Sequence, residues 1–209
     1  MRYLKYPRTP HLPWSRSVMV DDIYQLDLEP FINGEVVVTE KMDGENTTLY
    51  TDHLHARSLD SRQHPSRTWV KRWHHSIAHE IPPGWRICGE NMYAQHSIEY
   101  WDLDSYFYGF SIWNEHNECL SWKETLEWFS LLGIVSPPVL YQGIWDEDYL
   151  RQLVLDTQKV EGYVLRLTAS FHYDQFAQAV AKWVRPRHVQ TDQHWMFAEV
   201  QPNHLRGEV

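Results

Sequence analysis

Cysteine is nearly missing from this 209-residue chain, which has only Cys88 and Cys119. A disulfide framework is therefore excluded as a source of stability, and a reducing, cytoplasmic setting is the expectation. Long apolar runs are missing too. Nothing approaches the roughly 18 apolar residues of a membrane helix, and the stretch Met1-Arg2-Tyr3-Leu4-Lys5-Tyr6-Pro7-Arg8 has no apolar core of a secretory signal. No membrane partner is expected. Positive charge is scarce: 19 Lys and Arg stand against 28 Asp and Glu, a net charge of -9. That excludes a chain coated in basic charge; any polyanion it handles must meet positive charge confined to a groove. Repeats, low-complexity tracts and linkers are also absent. One domain over 1–209 is expected, with an extended N-terminal arm over 1–20.

What is present is a chain able to bury a core, with 43% hydrophobic residues and 11 tryptophans. The stretch that organises it is Thr39-Glu40-Lys41-Met42-Asp43-Gly44-Glu45-Asn46. Before it, Glu35-Val36-Val37-Val38 is a β-branched run; after it, Thr47-Thr48-Leu49-Tyr50 is another. The pattern reads as strand, tight turn, strand. It puts a lone lysine at a strand end, next to a glycine that permits a positive φ or a close backbone approach.

Three prolines between Pro7 and Ser17 make that stretch an extended arm, which packs on the domain or brings Arg8, His11 or Arg16 to a ligand. Asp21 to Leu28 reads as a short helix or turn, and Asn33-Gly34 as a turn launching the lysine's strand. Tyr50 and His53-Leu54-His55-Ala56-Arg57 form two antiparallel strands around Thr51-Asp52, so Arg57 returns toward Lys41. Helical spacing of Trp69, Val70, Trp73 and Ile77 predicts a helix over 66–80, with Arg67, Lys71, Arg72, His74 and His75 elsewhere on its wheel. His75 and His79 have the i, i+4 spacing of metal ligands, but without a third ligand they read as a solvated face. Strands follow at 85–93 and 105–113, the second aromatic and central. Ser121 with Glu124 forms a capping box opening a helix to Leu132. A short strand follows Ser136-Pro137-Pro138, and Asp146 caps a helix to about Asp156. The last strands are Val160–Leu167 and Ala179–Arg185.

Lys41 with Asp43 and Gly44, Arg57, Gly89-Glu90, Phe110-Ser111-Ile112, Glu161-Gly162 and Lys182 fall in a fixed order on strands or strand ends. This order resembles the covalent nucleotidyltransferase superfamily of polynucleotide ligases and RNA-capping enzymes. It looks most like the ATP-dependent RNA ligases of the nick-sealing type, and the arm Tyr6-Pro7-Arg8-Thr9-Pro10-His11 is similar to that of some bacterial and phage members. The resemblance implies an α+β, ATP-grasp-like nucleotidyltransferase domain of antiparallel sheets flanked by helices, here without an appended OB-fold. It implies that Lys41 takes AMP from ATP as a lysyl-AMP, with Mg²⁺ or Mn²⁺ held by Glu161 and Glu90. AMP then passes to an RNA 5'-phosphate, and a 3'-OH attacks to seal the strand. By the same resemblance Asp43 accompanies the nucleophile, Glu40 reads the adenine edge, Glu90 contacts the ribose or helps with metal, Arg57 contacts the ribose or an incoming end, and Phe110 stacks on adenine. Lys182 touches the α-phosphate.

Two departures stand out. The last family motif usually has two lysines one residue apart, whereas Lys182-Trp183-Val184-Arg185 has one, with Arg185 as the candidate substitute; strand positions of odd and even number face opposite ways. Ser111 replaces a common acidic residue. RNA with 3'-OH and 5'-phosphate ends is the expected partner, together with an RNA-binding protein if the chain's own affinity is low. A DNA ligase, a capping guanylyltransferase and a non-catalytic RNA-binding repair scaffold are the alternatives.

Overall fold

A computed structural model describes residues 3–15, 22–25, 27–60, 63–186 and 199–207. In chain order its elements are β1 (Glu35–Glu40), β2 (Glu45–Leu49), β3 (Leu54–Ala56), α1 (Thr68–Ile77), β4 (Arg86–Asn91), β5 (Phe107–Trp113), β6 (Glu118–Cys119), α2 (Trp122–Leu132), β7 (Val139–Ile144), α3 (Glu147–Gln152), β8 (Gly162–Leu167), β9 (Phe171–His172), α4 (Phe176–Ala179) and β10 (Val180–Val184). The strands form two sheets, one in the order β10-β8-β1-β7 and the other β3-β2-β4-β5-β6-β9. Their neighbouring strands pair antiparallel. The α+β architecture is therefore as the sequence implies. Among the described residues no helix is long and apolar enough to cross a membrane.

Each sheet buries one face against helices. Leu49, Ile87, Phe107 and Ile112 of the six-stranded sheet meet Val70 of α1 and Phe129 of α2. Val36, Val38, Leu165 and Ala181 of the four-stranded sheet meet Leu150 of α3, with Leu12 of the arm and Phe31. β5 lies in the sheet interior, as its aromatic run predicts. The capping box of α2 is complete, with Ser121 Oγ accepting from Glu124 N at 3.3 Å and Glu124 Oε2 accepting from Ser121 N at 3.0 Å.

The strand–turn–strand reading around Lys41 is corrected in one respect. β1 and β2 do not pair; they belong to different sheets, and residues 41–44 carry the chain from one to the other. Lys41 N still donates to Gly162 O at 2.9 Å, extending the β1–β8 register, whereas Glu45 is already paired with Asn91 of β4. Three other expectations shift. The described residues from 22 to 28 are non-helical, and a single 3-10 turn follows at Glu29–Phe31. α3 ends at Gln152 because Leu153 turns out of helical backbone, which lets Leu153 and Leu155 pack on the four-stranded sheet. Arg16 lies outside the described residues.

The arm is extended, as its prolines require, and spans both sheets. Leu4 N donates to Tyr50 Oη at 3.0 Å beside β2. Six residues on, Lys182 N donates to Pro10 O at 2.8 Å and Leu12 N to Lys182 O at 2.7 Å, covering the open edge of β10.

Candidate active site

Between the sheets lies a cavity of about 730 Å³, within the range of small-molecule sites. One wall comes from the four-stranded sheet. Val164 and Arg166 alternate on β8, and their partners on β10 are Lys182 and Val180, so all four share the cavity face. The opposite wall comes from Glu90 of β4 and Phe110 of β5, with Arg57 just after β3. Tyr6 of the arm closes a side, its ring edge-on to Phe110 at 5.1 Å. Lys41 stands where the walls meet.

Lys41 Nζ donates to Glu161 Oε2 in an ion pair whose side chains are 23% and 7% exposed. Burial alone would lower the lysine pKa, but attraction by Glu161, Glu90 and Asp43, with the hydrogen bond to Glu161, raises it above its ordinary value. Glu90 moves the other way from a normal carboxylate: burial, and behind it the negative charges of Glu161 and Asp43, push it up to about 8 despite Lys41. Lys182 is brought down to about 8, chiefly by burial and then by repulsion from Lys41. Glu40 rises to about 6 through burial and Asp102. Burial and neighbouring Arg8 lower Arg57. The cavity thus holds cations and carboxylates that repel their own kind, a condition relieved when a phosphate meets the first group and a metal ion the second.

Glu40, Lys41, Gly44, Arg57, Glu90, Phe110 and Lys182 line the cavity, and Glu161 enters it through its grip on Lys41. Asp43 and Arg185 stand apart. Asp43 Oδ2 accepts from Ser97 N (2.8 Å), Ser97 Oγ (2.7 Å) and Ile98 N (2.8 Å), so the carboxylate bolts the crossover to the 97–98 loop. Arg185 is 6% exposed and donates through Nη1 to Thr157 O, away from the cavity. It lies just past the end of β10 and outside the residues that line the cavity. Gly44 is needed for close approach rather than for a positive φ: a Cβ there would lie 2.5 Å from Asn91 O. His11 is buried, hydrogen-bonded to Ser15 Oγ at 2.8 Å and Asp22 Oδ1 at 3.1 Å. His75 and His79 form part of no metal-binding group among the described residues.

Sequence reasoning missed Arg166, Tyr6 and the Glu45–Arg67 pair. Arg166 donates to Leu120 O at 2.8 Å and Leu167 O at 3.0 Å, leaving Nη1 without a protein partner on the cavity wall. Its period-two relation to Val164 was the available signal. Arg67 grips Glu45 with two side-chain hydrogen bonds, one of 2.7 Å; no local pattern joins residues 22 apart on a strand and a 3-10 turn.

Two antiparallel sheets meeting at a lysine-bearing crossover define a nucleotidyltransferase-like fold, and solved structures agree. An archaeal ATP-dependent RNA ligase superposes with a TM-score of 0.56 at 15% identity, over 86% of this chain and 48% of its own. A putative ATP-dependent DNA ligase from Aquifex aeolicus gives 0.57 at 17% identity, over 87% and 50%. A Naegleria gruberi RNA ligase with PPi gives 0.52 at 15% identity, over 88% and 61%. The chain thus spans half to three-fifths of the length of these structures. The family model described as RNA ligase matches residues 34–184, and the chain belongs to that family. A search of curated protein sequences gives no match.

Proposed function

We propose that the chain is an ATP-dependent RNA ligase that takes up AMP on Lys41. The observation that carries this reading is the Lys41–Glu161 pair on a cavity that also presents Glu90, Phe110 and Lys182. As a nucleophile Lys41 must first shed its ammonium proton. Its nitrogen then forms a bond to the α-phosphorus while the bond to pyrophosphate breaks. Lys182 and Arg57 face the phosphates, Phe110 offers a ring to the base, and Glu40 offers a carboxyl to the base edge.

A divalent cation fits Glu161 and Glu90: two carboxylates share one lysine, and burial together with the charges of Glu161 and Asp43 holds the Glu90 proton to about 8. When bound, Mg²⁺ or Mn²⁺ would neutralise phosphate oxygens and lower the lysine pKa. Glu161 would exchange its lysine partner for that ion, freeing the amine. In the later steps AMP passes from Lys41 to an RNA 5'-phosphate; a 3'-OH then forms the new phosphodiester as AMP leaves. Asp43 acts as the bolt of the crossover.

The test is incubation with labelled ATP and Mg²⁺. A covalent AMP adduct in the wild type, absent in Lys41→Ala, is expected. No adduct with any nucleotide or divalent metal would overturn the reading, and an adduct with GTP alone would make it a capping-type enzyme. Nicked RNA, single-stranded RNA and nicked DNA then distinguish the strands it seals.

A further inference from the structure

The segment between Asp60 and Glu80 contains no aspartate or glutamate, yet holds four Lys and Arg in a chain of net charge -9. Its helix α1 forms one side of a second cavity, of about 350 Å³, whose other side is the turn between β2 and β3. Lys71, His75 and Ala78 line it at helical spacing, facing His53 across the gap. Arg67 lines both this cavity and the larger one, so the two are neighbours at that side chain.

The charges here differ in their state. That of Arg67 is spent on Glu45. His74 is buried and bonded to Tyr50 O at 2.6 Å, a structural tie. Lys71 and Arg72 form no ion pair among the described residues, and neither does Arg57 on the larger cavity. The carboxylate of the second cavity, Asp52, is exposed and accepts a hydrogen bond from Tyr3 Oη at 3.3 Å. Lys71 is half-buried, and Arg72 and His75 are exposed. Lys71 lines the second cavity, and Arg72, the next position round the helix, is exposed beside it, so both are open to external anions. One small anion cannot fill two separate cavities that meet at Arg67. A strand bearing a phosphate at every nucleotide can.

We propose that α1 and the β2–β3 turn form a track for the RNA strand, on which Lys71 and Arg72 hold backbone phosphates while the reacting end enters the larger cavity past Arg67 and Arg57. This rests on the RNA ligase reading and adds the surface that grips the substrate. It also suggests how an acidic chain meets a polyanion: Arg67, Lys71 and Arg72 lie on one acid-free segment beside the reaction cavity. The contacts are to phosphates, so the track grips any sequence.

The test uses a fluorescein-labelled, 5'-phosphorylated single-stranded RNA, with binding followed by anisotropy across a salt series. Lys71→Ala/Arg72→Ala is compared with wild type and with Lys123→Ala, at a site paired with Glu127 on α2. The double variant is expected to bind at least about tenfold more weakly, with its salt slope reduced by roughly 0.7 per lost contact. Its AMP uptake and melting temperature are expected to stay at wild-type values, as are all properties of Lys123→Ala. Wild-type RNA binding in a folded double variant overturns the track, as does a wild-type protein that binds an acidic polypeptide but no RNA. If the double variant melts early, Lys71→Gln alone is read by the same slope. AMP uptake reports separately on the ligase reading: an adduct-free wild type that still loses RNA binding on mutation would reject the chemistry and keep the track.

Discussion

Lys41 and Glu161, 120 residues apart in sequence, meet as an ion pair because β1 and β8 are neighbours in register. Glu40 is paired with Tyr163, and Lys41 N reaches Gly162 O at 2.9 Å. A backbone ladder therefore delivers one side chain to the other, and the pair is as rigid as the sheet.

Removing the carboxylate should stop AMP uptake by more than loss of an ion pair would explain. Glu161→Ala is expected to slow adduct formation by about a hundredfold or more, the scale for deleting one electrostatic stabiliser. Glu161→Gln keeps the shape but not the charge, and should be no faster. Labelled-AMP transfer over time is the measurement; full speed in the glutamine variant would place the metal elsewhere.

The raised pKa of Lys41 has a kinetic sign. The amine must be neutral to attack, and its neighbours hold it charged. Adduct formation at saturating ATP and Mg²⁺ should therefore climb as pH rises from 7 to 9, with a slope approaching about tenfold per unit while the lysine remains mostly charged. A flat profile would mean that another step limits the rate.

Glu90 makes a stability prediction of definite direction for the metal-free protein. Its carboxyl holds its proton more tightly folded than unfolded, about 8 against 4.5. Its favourable contribution is thus complete below pH 4.5 and lost as pH rises toward 8. Glu90→Gln removes that loss, and at pH 9 without metal it should melt higher than wild type by roughly 2–4 °C for each kcal/mol regained. At pH 4 the difference should vanish. Thermal melts at the two pH values decide it.

Lys182 and Arg185 should separate cleanly. Lys182→Ala, on the cavity wall, is expected to raise the KM for ATP at least about tenfold with little change in melting temperature. Arg185→Ala, buried just past the end of β10, is expected to leave that KM alone and cost about 1–3 kcal/mol of stability through the unpaired Thr157 carbonyl. An ATP effect in Arg185→Ala would show that its guanidinium swings into the cavity.

The parts legible in sequence are those fixed by local chemistry. Ser121 and Glu124 announce their helix because cap and partner are three residues apart. Val36–Val38 announce a strand because β-branching suits no other backbone so well. What stayed hidden depends on where the chain goes after a turn. Nothing in Met42-Asp43-Gly44 tells a hairpin from a crossover, since either uses a tight turn followed by a strand. The choice is made by Asn91 receiving Gly44 and by Ser97 and Ile98 receiving Asp43, residues about fifty positions away. Arg67 stayed hidden for the same reason: a buried carboxylate on β2 calls for a cation, but does not say which.

The hydrogen bonds between Pro10, Leu12 and Lys182 also set an order of events. The arm can take its place only against β10, a separation of about 170 positions. Such non-local pairing forms slowly. During synthesis five strands of the six-stranded sheet precede β10, so the β10 edge and the arm that lies along it and lines the larger cavity assemble after them. Most of the six-stranded sheet can therefore be folded before the cavity wall made by β10 and the arm is finished.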